Sequence, residues 1–186
     1  MIPRFSDTNT LRAYLDAHEV ALVSVHPGDP GHPDVAIPLP DGWAEVAHDV
    51  FPQAHTVIVA PEYIIDDWSP NAVLLHGRMS RWRPTDELLD VAGSEALALP
   101  EWNELRSSAT DFHGHRSVFV HGTYRVEGVE FTAATRYLVI DDEYDRYLTQ
   151  LTVTTRADPP LVLATDAAAI HTGFSVRTTP GTDASG

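Results

Sequence analysis

The chain contains no cysteine. These residues therefore supply no disulfide, thiolate metal ligand, cysteine nucleophile or cysteine-linked lipid anchor, and the redox compartment is left open. Basic residues are also scarce, 12 against 27 acidic, for a formal net charge of −15. A chain so negative is repelled by nucleic-acid backbones and by anionic lipid surfaces, so no nucleic acid is expected as a partner. No stretch approaches the roughly 18 uninterrupted apolar residues of a membrane span, and "MIPRFSDTNTLRAYLDAHE" has no apolar signal core. The expectation is no membrane insertion and, for the sequence as it stands, nothing that directs it out of the cytoplasm. A chain trimmed of a leader would read the same.

Motifs that carry chemistry are missing too. There is no GxSxG elbow, and "GSEA" at 93–96 lies inside an expected helix. "PGDPGHP" has glycines but neither GxGxxG spacing nor a following helix. Asp66-Asp67 occupies an exposed turn, where nothing shifts a carboxylate toward acid–base work. Ten histidines invite a metal reading, through His113 and His115 with His121 on the next strand. Zinc needs three or four ligands converging at about 2.0–2.3 Å, and this spacing supplies two at best. No catalytic residue, cofactor or metal site is expected.

What is present is ordinary for one soluble domain: 186 residues, 43% hydrophobic and 21% charged. The acid is dispersed in turns such as Asp141-Asp142-Glu143 rather than gathered in a tail. A lead over residues 1–7, one domain over 8–177 and a flexible tail over 178–186 are expected.

"TNTLRAYLDAHE" opens with cap-type residues and puts Leu11, Tyr14 and Leu15 on one helical face. "VALVSV" reads as a short buried strand, and "TVIVAPE" (56–62) and "AVLLHGRMSRW" (72–82) as two more. "PTDELLDVAGSEALALP" is a helix with Thr85 as N-cap, stopped by Pro100. Strands are then predicted around 102–111, 115–126, 129–140 and 147–155, the second and third joined by Glu127-Gly128. Their connections are too short for crossovers, so all four are consecutive antiparallel neighbours. Asp158, as N-cap, opens a last helix through Ile170, and "GFSVR" adds an edge segment. The architecture is α+β: a mostly antiparallel sheet with helices covering its apolar faces.

Two features are candidates for binding. Arg78, Arg81 and Arg83 surround Trp82 and form the one local positive patch. The plainer and favoured reading has the strand end packing Trp82 under the next helix. Trp68, in "DDWSPN", is expected to be exposed as a partner or ligand contact.

"HPGDPGHPDVAIPLPDGW" (26–43) holds five prolines and three glycines between apolar segments. With the helix and strand before it, the stretch resembles the start of the domain in the LpqN/LpqT family of actinobacterial lipoproteins. The carriers are Gly28-Asp29-Pro30-Gly31-His32-Pro33 and Pro38-Leu39-Pro40-Asp41-Gly42-Trp43. The likeness continues through "LALPEW" (97–102) and "FHGHRSVFVHGTYRVEGVEFTAATRYLVI", covering about residues 10–177. It implies a PsbP-like α/β/α sandwich and no enzyme. It also implies an accessory or binding role at the mycobacterial-type cell envelope, linked to trehalose glycolipids and their MmpL-type exporters.

On the residues themselves the stretch reads as scaffold. Each proline fixes φ and withholds a donor, and Gly42 permits the turn that sends Trp43 inward. Two functions remain in view. One is a non-catalytic, chaperone-like adaptor for a protein partner. The other is a carrier or sensor of an amphipathic small molecule, such as a glycolipid, held between sheet and helix. A carrier needs an apolar cavity of about 300 Å³ or more, whereas an adaptor needs an exposed patch.

Overall fold

The computed structural model describes residues 10–178. In chain order these form α1 (Leu11–Ala17), β1 (Leu22–Ser24), β2 (Asp34–Ala36), β3 (Ala44–Glu45), β4 (Thr56–Val59), β5 (Asn71–Met79), α2 (Thr85–Ser94), β6 (Asn103–Ser108), β7 (Arg116–Val126), β8 (Val129–Asp141), β9 (Arg146–Arg156), α3 (Leu161–Thr172) and β10 (Ser175–Arg177).

Short connections dictate the centre of the sheet. β6, β7, β8 and β9 pair in sequence order, every pair antiparallel, as their spacing requires. Glu127 and Gly128 take φ of 52° and 81°, the left-handed pair that a two-residue hairpin needs. Beyond β9 the order runs to β5, β4 and β3, and β1 pairs with the outer half of β5, Leu22 opposite Met79. A separate ribbon pairs β2 with β10, Val35 opposite Val176, so "GFSVR" is an edge strand as expected.

Alternation along the strands sends apolar side chains to both faces. On one face, Leu11, Leu15, Leu88 and Leu89 of α1 and α2 pack on Met79, Tyr137, Val139 and Leu148. On the other, Leu163, Ile170 and Phe174, in and just after α3, join Val35 and Trp43 over Leu74, Leu138, Tyr147 and Leu151. The result is helix–sheet–helix layering. The proline-rich stretch serves it. Gly42 has φ 81°, the Trp43 amide donates to Pro40 O at 3.1 Å, and Trp43 ends 6% exposed.

Several expectations need correction. Thr85 is the first residue of α2, and the cap is Pro84, whose ψ of 133° is extended. Asp158 is likewise not a cap but sits in a left-handed turn at φ 53°. Pro160 disfavours helical ψ in Pro159, so α3 starts after Pro160, whose carbonyl accepts from the Ala164 amide at 3.0 Å. "TVIVAPE" leaves the sheet at Val59 and turns through a 3₁₀ segment over Pro61–Tyr63. The strand expected over 72–82 runs from Asn71 only to Met79, and α2 gives way at Glu95 to a 3₁₀ turn ending at Ala98. "VALVSV" is not buried throughout. Val20 and Val25 are, but Leu22 and Val23 are 40% and 50% exposed, because β1 is an edge strand. The expected lead over 1–7, and the tail from 179 on, lie outside the described residues.

Gly122 of β7 fixes the edge next to it. A Cβ there would lie 2.5 Å from Asn103 O and from the Trp102 ring. Gly122→Ala should therefore push β6 away and cost about 1–3 kcal/mol. Amide exchange across 103–108 is expected to accelerate relative to β8, and an unchanged melting temperature would refute the close approach.

Candidate functional site

Where α3 crosses the sheet it presents small side chains, Ala164, Ala167 and Ala168. Between this wall and strands β6–β8 lies a groove of about 800 Å³. Its floor comes from alternate residues of paired strands, Phe119, His121 and Thr123 of β7 and Thr132, Ala134 and Arg136 of β8. Leu105 and Arg106 of β6, and Phe112 of the following loop, complete the far wall. Three other hollows are smaller, at about 350, 360 and 530 Å³.

Arg136 is the best-built polar group in the groove. Its guanidinium carbon lies 4.2 Å from the ring centre of Phe112 and 4.9 Å from that of Phe119, favourable cation–π positions. Nη1 donates to Ser117 Oγ at 3.1 Å, and that hydroxyl donates to Thr110 O at 2.6 Å. Nε is buried and has no hydrogen-bond partner among the described residues. Burial, then the charge of Arg106, lowers the Arg136 pKa.

His171 projects from α3 and is 9% exposed. Its Nε2 donates to Ala134 O at 3.1 Å, and Nδ1 is buried without a described partner. Burial brings its pKa down to about 4, with Arg136 and His121 adding repulsion, so the ring is neutral at neutral pH. His121 is also lowered, first by burial and then by Arg106. The groove thus combines aromatic and small apolar side chains with arginine, histidine, threonine and acidic residues.

None of the binding candidates singled out from sequence, Trp68, Arg78, Arg81, Trp82 and Arg83, lines this groove. Arg78 lies 3.4 Å from Asp145, Arg81 2.9 Å from Glu19, and Arg83 2.8 Å from Glu87. Carboxylates therefore neutralise the expected positive patch. Trp82 does not pack under α2. It is 65% exposed, and the Arg146 guanidinium sits 4.8 Å from its ring centre. Trp68, expected exposed, is half-buried, its ring centre 4.9 Å from that of Phe131 in an edge-on arrangement. It is also far from the arginines. Arg78 pairs with Tyr147 at the start of β9, whereas Phe131 pairs with Arg156 at its end.

His113 and Gly114 form a tight turn closed by a bridge between Phe112 and His115, while His121 faces the groove. Among the described residues, no group of three or more His, Cys, Asp or Glu side chains is placed to hold a metal ion, and no helix is long and apolar enough to cross a membrane.

Sequence reading gave these two strands only as antiparallel neighbours and missed the groove, whose signal lay in the residues of one face. Phe119-x-His121-x-Thr123 and Thr132-x-Ala134-x-Arg136 are not what a fully covered sheet face needs.

Comparison with known proteins agrees with this architecture. A family model described as "Probable lipoprotein LpqN" matches residues 7–177. The proline-rich 28 kDa antigen homolog of Mycobacterium leprae is 28% identical over 170 residues, covering 91% of this chain and 60% of the relative. The chain therefore spans only about three-fifths of that protein's length. The putative lipoprotein LpqT of Mycobacterium tuberculosis is 29% identical over 167 residues, 88% of this chain and 71% of the relative. A crystal structure of LpqN, described as involved in cell envelope biogenesis of Mycobacterium tuberculosis, superposes with a TM-score of 0.81. It is 22% identical and covers 93% of this chain and all of that one. That likeness speaks to the fold.

Proposed function

The chain belongs to the probable lipoprotein LpqN family, and from that premise we propose that it binds an amphipathic small molecule, without catalysis, in the groove beside α3. The observation that carries this reading is the groove of about 800 Å³, within the roughly 300–1,000 Å³ of small-molecule sites. Leu105, Phe112, Phe119, Val153 and the alanines of α3 supply its apolar surface, set among threonines, two arginines, two histidines and three acidic residues. Cell-envelope work, the process named for the LpqN structure, is the setting that suits such a carrier or sensor.

A chaperone-like adaptor is the second reading. Leu161 and Val162, at the start of α3, are 82% and 62% exposed, a small apolar step for a protein partner.

The neutral fluorophore phenylnaphthylamine tests the carrier reading. Its emission should rise on binding the parent protein. Ala168 is exposed on the groove wall, so Ala168→Trp fills the groove without entering the core. Affinity is expected to fall about tenfold, or roughly 1.4 kcal/mol, with melting unchanged. A parent that leaves the fluorophore dark, or a variant that binds it as tightly, would sink the proposal.

A further inference from the structure

The sequence contains no lysine, so its 12 permanently charged basic side chains are all arginines. Among the described residues, nine lie within 4.0 Å of a carboxylate. Arg106 and Arg136 do not, and both line the groove. In a chain with 27 acidic residues to 12 basic, a cation without a counterion has to be kept away from carboxylates by the fold. Here two are kept in one place.

The strand register shows how close they are held. Arg106 pairs with His121, which pairs with Ala134, two residues along β8 from Arg136. The charge of Arg106 contributes to lowering the pKa of both Arg136 and His121, so these groups repel one another. The nearby acids are engaged or distant. Asp111 lies 3.5 Å from Arg116, and Glu130 lies 3.9 Å from Arg125. Glu130 and Asp158 belong to the other end of the groove, where the Ala157 amide donates to Glu130 O. That is six residues from Arg136, roughly 20 Å along an extended strand.

A half-buried guanidinium whose Nε has no partner loses hydration without full compensation. The faces of Phe112 and Phe119 and the Ser117 hydroxyl offset part of that loss and hold the group in place. An anion between the two guanidinium groups would supply the missing counterion through charge-assisted hydrogen bonds, which are shorter and about twice as strong as neutral ones.

We infer that the groove's ligand is an amphipathic anion whose carboxylate or phosphate head is received by Arg136 and Arg106, with its apolar part against Phe119 and the alanines of α3. This rests on the proposed carrier function and names the ligand class. The occupant is a dispersed amphiphile rather than a bilayer surface, because a chain of net charge −15 is repelled by anionic membranes.

The test displaces phenylnaphthylamine from the full chain with dodecanoate, dodecyl phosphate and dodecanol, which share a tail and differ in the head. At low salt both anions should displace it at about tenfold lower concentration than the alcohol, and added salt should narrow the gap. Arg136→Met keeps an apolar stem beside the two phenyl rings and should abolish the preference of the two anions over dodecanol. Arg106→Gln, at an exposed position on β6, should reduce the preference without disturbing packing, and it stands as the test should Arg136→Met fail to fold. Equal displacement by acid and alcohol in the parent overturns the inference and leaves the carrier reading intact. A preference that survives in both variants also overturns it, as does tighter binding to anionic vesicles than to dispersed dodecanoate. Failure of all three amphiphiles to displace the probe would instead count against the carrier reading itself.

Discussion

Replacing Trp43 by alanine is expected to lower the thermal midpoint by roughly 6–20 °C, the equivalent of about 3–5 kcal/mol in a domain of this size. The indole is 6% exposed and packs in the cluster that includes Leu163, Ile170 and Phe174 beneath α3. Its Nε1 donates to Asp166 Oδ2 at 3.1 Å, tying the proline-rich stretch to the helix. Alanine would leave a large cavity between ribbon, helix and sheet and strip Asp166 of that donor. Trp43→Phe keeps much of the apolar contact but loses the hydrogen bond and leaves a smaller cavity, so it should cost less, roughly 1–3 kcal/mol. Calorimetry on the three proteins separates the terms. Below its own transition, Trp43→Ala should still bind phenylnaphthylamine, because Trp43 does not line the groove. A variant that melts within a degree of the parent and has lost the probe would make residues 26–43 a ligand loop after all.

That stretch was legible in the sequence because its prolines and Gly42 restrict the backbone locally. The four-strand meander from β6 to β9 was legible for a similar reason, since a two-residue link such as Glu127-Gly128 admits only an antiparallel partner. Helix starts were harder. At Thr85 and Asp158 the residue type suited a cap, but the neighbouring prolines decided where helical torsions could begin. Trp82 defeated the favoured expectation because Arg146, more than 60 residues away in the chain, supplies the cation that covers its ring. The groove was the least legible feature. It depends on Phe112, Phe119 and Arg136 meeting across a loop and two strands, and on α3 carrying alanine where it passes them. The isolation of Arg106 and Arg136 from carboxylates is a property of the fold, and no local pattern announces it.

Acidification from pH 7.5 to 5 should cost the protein about 4 kcal/mol of stability, a large share of the roughly 5–15 kcal/mol typical of a domain. Two histidines are responsible. His76 is 2% exposed, stacks on Tyr147 at 5.2 Å and shares its Nδ1 with Thr149 Oγ1 at 2.8 Å, while its Nε2 has no described partner. Burial, with repulsion from His55 and His32, lowers its pKa to about 4. His171 reaches about the same value on the α3 side of the groove. Unfolded, both titrate near pH 6.5. Between about 6.5 and 4 the unfolded chain therefore binds protons that the native protein refuses. The stability these rings contribute is fully present above 6.5 and is lost progressively as pH falls toward 4. At pH 5 each ring accounts for about 2 kcal/mol, since one pKa unit corresponds to about 1.4 kcal/mol. His55, His115 and His121, also lowered by burial, act in the same direction. The reference carboxylate range, about 3.9–4.3, lies below this window, so the slope from 6.5 to 5 reports chiefly on imidazoles. Urea midpoints measured across that range provide the check. His171→Gln preserves a donor for Ala134 O, and His76→Asn preserves a partner for Thr149, and neither can be protonated. Each variant should flatten the curve, and the two together should remove most of the slope, leaving the smaller part due to His55, His115 and His121. A parent whose midpoint does not move between pH 7.5 and 5, or a double variant with the parent's full slope, would show that these rings are not neutral and buried as the fold places them.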